Sequence, residues 1–388
     1  MDITIQPGKL CGSIAAIPSK SQAHRLLICA ALADAPTELT CPDTNRDIEA
    51  TAECLNALGA IVKRTDTGYL VEPIDHVPNF AILNCCESGS TLRFMLPIAG
   101  ALGVDTIFRM EGRLPQRPLS PLWEEMERMG CKLSRPTEDT IRCQGRLHCG
   151  NYAIDGGVSS QFITGLLFAL SLIPGESHLE VIGKVESKPY IEMTKKAMAR
   201  FGAPDYRTPG KIHVEGDWSN GAFFLASKAL GNDLEITNLD PDSPQGDRAV
   251  VDFLNQLEGH ATIDAAQTPD LVPILAVVAG AKKGAVFTNA GRLRLKETDR
   301  LVTTAALINN LGGSARIDGD NLIVAGSGYT GGIVDAANDH RIAMSAGIAA
   351  TVCTKPVTIL SADSVQKSYP KFWEEYRRLG GNYEQYLR

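Results

Sequence analysis

One design recurs six times along this chain: a polar turn runs straight into a helix of Ala, Gly and Leu. Its first occurrence is Pro18-Ser19-Lys20-Ser21-Gln22-Ala23-His24-Arg25, followed by the apolar stretch Leu26 to Leu32. Proline and small hydroxyl residues stop a strand and start a helix. The design returns as CESGSTLRFMLPIAGALG from Cys86, GVSSQFITGLLFALSL from Gly157, GDWSNGAFFLASKAL from Gly216, TPDLVPILAVVAGAKKG from Thr268 and NDHRIAMSAGIAATV from Asn338. Helices apolar on every side belong in an interior. Their first-turn N–H groups have no partner within the helix, and the helix dipole favours negative charge there. Each head is therefore a ready anion site. Lys20, Ser21 and Arg25 sit beside the first of them.

The heads lie about 50 to 70 residues apart, the spacing of a repeated supersecondary unit. Asp2 to Ile5 and Gly12 to Ile17 read as strands. After the first head come a strand at Glu38 to Thr40 and a helix from Asp47 to Leu58, ended by Gly59. Ile61 to Val71 reads as a hairpin. Strand, helix, strand, helix, hairpin makes a unit of roughly 65 residues. Six heads then give three units in each of two domains, an α/β (α+β) architecture around buried helices.

The totals agree with this reading. A chain of 388 residues suggests two or three domains. A hydrophobic content of 44% fills large cores, and a net charge of −7 argues against a nucleic-acid binder. Any anion site must then be built locally from clustered Lys and Arg. No stretch approaches the ~20 apolar residues of a membrane span, and the start lacks the form of a signal peptide. Ten Cys without a CxxC pair argue against a disulfide framework or a zinc ribbon, so a reduced cytoplasmic protein is expected.

The remaining motifs divide. Ser88-Gly89-Ser90-Thr91-Leu92-Arg93 offers close backbone approach at Gly89 and donors around it, and reads equally as a plain serine cap. Arg113 and Arg117 lie on a proline-stiffened loop. Ser159-Ser160-Gln161 opens a third helix, and Ser187-Lys188-Pro189-Tyr190 precedes another. Asp217 and Ser219 read as the cap of a buried helix, and Asp270 as an N-cap or a site carboxylate. Arg292, Arg294, Lys296, Glu297, Asp299 and Arg300 form the densest charge cluster, with Glu297 and Arg300 on one helix face at i, i+3. Lys367 sits on a polar turn before an amphipathic helix. Gly326 to Gly331 spells a dinucleotide fingerprint, but a strand rather than a helix follows it. Cys143, His148 and Cys149 lack a fourth metal ligand, and no metal is expected. No Walker A loop is present.

Taken in order, PSKSQAHR, SGSTLR, SSQ, SKPY, LKETDRL, NDHRIAM and KSYPKF resemble the EPSP synthase family of enolpyruvyl transferases, from Leu10 to the C-terminus. The resemblance implies a two-domain inside-out α/β barrel, each domain of three βαβαββ repeats around buried helices. One domain spans 19–215; the other joins 1–18 to 216–388, with the active site in the cleft between them. It implies transfer of the enolpyruvyl group of phosphoenolpyruvate to the 5-hydroxyl of shikimate 3-phosphate, through a noncovalent tetrahedral intermediate and with no cofactor. By the same resemblance Lys20, Ser21, Arg25, Ser159, Ser160, Gln161, Ser187, Tyr190, Asp270 and Lys296 hold shikimate 3-phosphate. Lys20, Gly89, Arg93, Arg117, Gln161, Arg300, Arg341 and Lys367 hold phosphoenolpyruvate. Asp270 meets the attacking hydroxyl as base or orienter, Glu297 is the acid at the methylene, and Lys20, Lys296 and His340 stand beside them. The family implies a monomer acting on small molecules, with no membrane or nucleic-acid partner.

Three positions depart from the family pattern: Glu87 and Arg292 stand where Asn is common, and Asn220-Gly221 where Ser-Ala is. The chain is also shorter than most of the family, which implies trimmed hairpins. The rival of the same fold is UDP-N-acetylglucosamine enolpyruvyl transferase, which begins with Lys-Asn and carries a loop Cys. Here Lys20 precedes Ser21, and the loop around Arg113 has no Cys. The rival of another class is a noncatalytic phosphosugar-binding relative, which has no need of Asp270 and Glu297.

Overall fold

The computed structural model describes residues 1–386. They form two compact units: Met1–Ile17 with the chain from Gly216 onward, and Pro18–Glu215. Each has its own apolar core.

Within Pro18–Glu215, the second repeat shows the pattern in full. Strand Phe80–Asn84 leads into helix Gly89–Leu102, which returns the chain to strand Asp105–Arg109, parallel to the first with Ile82 opposite Ile107. Parallel neighbours need such a crossover, and a helix supplies it. Helix Leu122–Arg128 and a hairpin, Cys131–Ser134 with Thr140–Gly145, complete a four-stranded sheet. The first repeat follows suit. Strand Thr37–Thr40 pairs with the hairpin Ile61–Thr65 and Gly68–Glu72, and Lys211–His213 joins it in parallel.

The other unit repeats the scheme. Ala261–Asp264, Ala285–Thr288, Ser314–Asp318 and Asn321–Ala325 make one four-stranded sheet. In another, the opening strand Asp2–Gln6 lies between Val357–Leu360 and Asn382–Tyr386, antiparallel to both. The start of the chain is thus built into the last repeat's sheet.

Two repeats stop short of the six-fold βαβαββ pattern. Among the described residues, Asn151–Asp155 pairs only with His178–Ile182, and Cys11–Ala15 only with Asp233–Thr237. After helix Lys188–Arg200 the chain passes through Pro204 and Pro209 to reach Lys211. After helix Val250–Gln256 only four residues precede Ala261. Prolines in one connection and shortness in the other leave no hairpin.

The six heads open the helices Lys20–Ala31, Gly89–Leu102, Ser160–Leu170, Trp218–Ala229, Val272–Ala281 and His340–Ala350. They are the buried centre of each unit; every residue of His340–Ala350 is buried. Close packing depends on Gly165, where a Cβ would lie 2.2 Å from the Arg93 carbonyl oxygen. Side chains cap five of the heads. Ser19 accepts from Gln22 N, Ser88 from Thr91 N, Ser159 from Gln161 N, Asp217 from Asn220 N and Asp339 from Arg341 N. Val272–Ala281 instead follows a 3-10 turn, Pro269–Leu271. As expected of the fingerprint look-alike, Gly332–Asp335 after it is a strand. Among the described residues, no helix is long and apolar enough to cross a membrane.

Candidate active site

The predicted residues fall into two clusters, one in each unit. Within Pro18–Glu215, Arg25 is buried, 2% exposed, and held by neutral groups alone. Its Nε donates to Thr194 Oγ1 at 2.8 Å, its Nη1 to the Ser21 carbonyl at 2.6 Å, and its Nη2 to the Tyr190 carbonyl at 3.0 Å and Thr164 Oγ1 at 3.3 Å. No carboxylate among the described residues pairs with it. Burial lowers its pKa to about 10, against weak opposition from Tyr190 and Cys29. Thr164 and Thr194 come from the third repeat, so this cation joins the first and third heads. Lys20 pairs with Asp47 at 3.0 Å, both partly exposed.

Beside Gly89 stand two guanidinium groups. A Cβ at Gly89 would lie 2.6 Å from Arg117 Nη1 and 3.0 Å from Arg93 Nη1. Arg93 Nη1 donates to Gln161 Oε1 at 2.7 Å, and Gln161 Nε2 to Ser90 Oγ at 2.9 Å. The Arg117 guanidinium makes no hydrogen bond or ion pair among the described residues, and its Nε is buried. Ser159 and Ser160 are buried at the third head. Ser187 is buried in a left-handed conformation, φ +56°, just before helix Lys188–Arg200, and Tyr190 lies in that helix's first turn. Arg113, by contrast, lies exposed at the edge of the short turn Leu114–Gln116.

In the other unit the cations meet carboxylates. Arg300, 1% exposed, donates from Nη1 to Asp270 Oδ1 at 2.7 Å and from Nη2 to Glu297 Oε2 at 2.5 Å. Its Nε reaches Asp339 Oδ2 at 2.7 Å, and Nη2 also reaches Asp339 Oδ1 at 3.1 Å. Lys296 Nζ is 3.0 Å from Asp270 Oδ1, and Arg341 Nε 3.9 Å from it. Burial alone would raise the Asp270 pKa, but Lys296, Arg341 and Arg300 hold it far below the usual carboxylate range. Burial, with Arg300 and Arg292, lowers the Lys296 pKa against the pull of Asp270. Lys367 Nζ donates to the Asn338 carbonyl at 2.7 Å, and His340 is buried at the first position of its helix.

Three local expectations change. Asp270 is no N-cap: it lies in the 3-10 turn, and its carboxylate is taken by Arg300 and Lys296. Glu297 and Arg300 meet, but not on a helix face. Asp299 caps helix Arg300–Asn310, so Glu297 lies on the turn before it. Ser219 does more than begin a buried helix: Arg341 Nη2 donates to its hydroxyl at 2.6 Å. Asp217 keeps the capping role expected of it.

Sequence reasoning missed three carboxylates. Asp339 is fully buried against Arg300, Asp47 pairs with Lys20, and Asp247 is buried near Asp270, Arg341 and Ser219. Asp339 and Asp47 were visible only as residues at helix starts. Asp247 carried no signal.

Two α/β units, each gathering buried or half-buried cations at helix starts, define a protein equipped to bind small, multiply charged anions. Comparison with known proteins narrows the class. The model of the family described as EPSP synthase (3-phosphoshikimate 1-carboxyvinyltransferase) matches residues 5–268 and 258–376. A 3-phosphoshikimate 1-carboxyvinyltransferase of Clostridium kluyveri is 38% identical over 424 aligned positions, covering 99% of this chain and 98% of the relative. One from Clostridium beijerinckii is 35% identical, covering 99% of each. A solved EPSP synthase from Acinetobacter baumannii, 21% identical, shares the fold with a TM-score of 0.78 over 99% of this chain and 100% of that one. The chain belongs to the EPSP synthase family of enzymes.

Proposed function

We propose that this protein transfers the enolpyruvyl group of phosphoenolpyruvate to the 5-hydroxyl of shikimate 3-phosphate, releasing phosphate. The relatives bear the name of that activity along their whole length. The observation that carries the reading is the Arg25 guanidinium, a buried cation held by neutral groups only. A buried charge is costly unless paired, and a phosphate dianion is a strong partner for it. Ser21, Ser159, Ser160, Gln161, Ser187 and Tyr190 complete that phosphate and ring site. Arg93, Arg117 and the Gly89 turn, with Lys20, hold phosphoenolpyruvate, and Arg300, Arg341 and Lys367 act on the same substrate.

Both substrates are anions and repel each other. Two unit charges ~4 Å apart interact by ~4 kcal/mol at an effective dielectric near 20, so several fixed cations must offset the repulsion before they meet. Arginine forks match carboxylate and phosphate oxygens in pairs. Glu297 gives a proton to the enol methylene, making C2 electrophilic; the 5-hydroxyl oxygen then bonds to C2. Collapse of this tetrahedral adduct breaks the C2–O bond to phosphate, which leaves with the proton of the 5-hydroxyl, and a methyl proton returns to the Glu297 carboxylate to restore the double bond. Asp270, held ionised by its three cations, orients the hydroxyl and its proton rather than acting as a strong base. Lys296, beside Asp270 and disfavoured as an ammonium by burial, shares that proton. The chemistry calls on no metal or organic cofactor. We place the protein in the cytoplasm as a monomer.

The test is phosphate release by the purified protein with phosphoenolpyruvate and either shikimate 3-phosphate or UDP-N-acetylglucosamine. Release is expected with the first acceptor only. Release with the sugar nucleotide, or with neither, overturns the proposal.

A further inference from the structure

Arg300 donates from Nε, Nη1 and Nη2 to carboxylates of its own chain. Four of its five N–H groups are thus used, so a substrate carboxylate can pair with two of them only if one of the three leaves. Asp339 is 0% exposed, accepts a second bond from Thr298 Oγ1 at 3.0 Å and caps the helix His340–Ala350. Asp270 is held by three cations, and its carbonyl also accepts from Arg341 Nη1 at 2.9 Å. Glu297 is 23% exposed, the most open of the three. It lies on the turn between the 3-10 segment Gly291–Leu295 and the helix, beside Lys296 in extended conformation. Its carboxylate on Nη2 shows that this side of the fork accepts a group of the kind phosphoenolpyruvate carries.

The geometry points to a substrate-released acid: the phosphoenolpyruvate carboxylate displaces Glu297 from Arg300 and thereby frees Glu297 to take up the proton it donates. This rests on the reading above. Losing a cation and gaining a neighbouring anion both favour the neutral form of a carboxyl group. Arg292, Lys296 and Arg300 face this turn with positive charge; Asp270 and Asp339 share Arg300 with it, and Arg341 and Asp247 lie behind Asp270. The swap leaves the fork's charge balance unchanged, because one carboxylate replaces another. Linkage is reciprocal, so a protonated Glu297 also opens the fork to substrate. The proton donor then forms only where substrate is seated.

The test uses 2-phospholactate, which carries the carboxylate and the phosphate but no double bond. Calorimetry in buffers of different ionisation heat counts the protons that move on binding. With shikimate 3-phosphate present near neutral pH, the wild-type protein should take up more protons with 2-phospholactate than with isopropyl phosphate, a monoester of similar titration that lacks the carboxylate. Glu297→Gln should abolish that difference and bind 2-phospholactate ~5-fold tighter or more, while phosphate release falls ~100-fold or more. A residue acting only as acid would lower turnover and leave the affinity alone. Equal proton uptake with the two ligands, or unchanged or weaker 2-phospholactate binding in Glu297→Gln, overturns the inference. The wild-type comparison stands even if the variant fails to fold. A wild-type protein that releases no phosphate from its two substrates refutes the functional reading; an active one without the extra uptake refutes only the swap.

Discussion

Asp339 Oδ2 accepts a hydrogen bond from Arg300 Nε at 2.7 Å, and the two side chains are 0% and 1% exposed. Removing one partner of a buried pair leaves the other charge poorly matched, a loss of about 3 kcal/mol. Asp339→Asn keeps the capping oxygen but not the charge. It should lower the stability of its unit by roughly that amount, read as an earlier transition in urea. An unchanged transition would show that Asp270 and Glu297 suffice for Arg300.

Arg25 gives the opposite expectation. Its guanidinium is buried among neutral groups, so Arg25→Leu removes an uncompensated charge, and Thr164 and Thr194 can still bond each other at 2.9 Å. Thermal stability without ligand should hold or rise, while the KM for shikimate 3-phosphate rises ~100-fold. A large fall in Tm would mean that Arg25 is a structural clasp.

Gly89→Ala places a methyl group 2.6 Å from Arg117 Nη1 and 3.0 Å from Arg93 Nη1. Both guanidinium groups must shift. The KM for phosphoenolpyruvate should rise ~10-fold with little change for shikimate 3-phosphate. Equal effects on both substrates would contradict the assignment of this turn.

Asp247 titrates in reach of experiment. Burial first, then repulsion from Asp270, raises its pKa to about 6, against the opposing pull of Arg341 and Ser219. A carboxyl raised on folding contributes stability that is present below its unfolded pKa, near 4, and is lost as pH rises through about 6. Two pKa units correspond to ~3 kcal/mol. Asp247→Asn should therefore gain stability relative to the wild type between pH 4 and pH 7, followed as the difference in Tm. A pH-independent difference would place Asp247 outside the titrating set.

The fold was largely legible because its signals are local. Ser19, Ser88, Ser159, Asp217 and Asp339 mark helix starts by chemistry confined to three residues, and the all-round apolar runs behind them can only be buried. The missing hairpins were legible only as a chain shorter than the family's usual, since a repeat inferred from its head does not say which tail is trimmed. The two charged clusters were legible in residue type but not in pairing. Arg341 finds Ser219 across 122 positions, and Arg300 finds Asp339 across 39. Spacing rules cover only neighbours on one helix, so they put Glu297 on a helix that Asp299 in fact begins. Asp270 looked like a cap because an Asp at a helix start usually is one; here nearby cations outbid the backbone.

The account rests on addition of the shikimate 3-phosphate hydroxyl to a protonated enol, and a reaction in heavy water tests it most directly. Phosphate should appear only when both substrates are present, and the methylene of the new enolpyruvyl ether should carry deuterium, seen by NMR. Phosphate released without shikimate 3-phosphate, or a product whose methylene holds no deuterium, would contradict it.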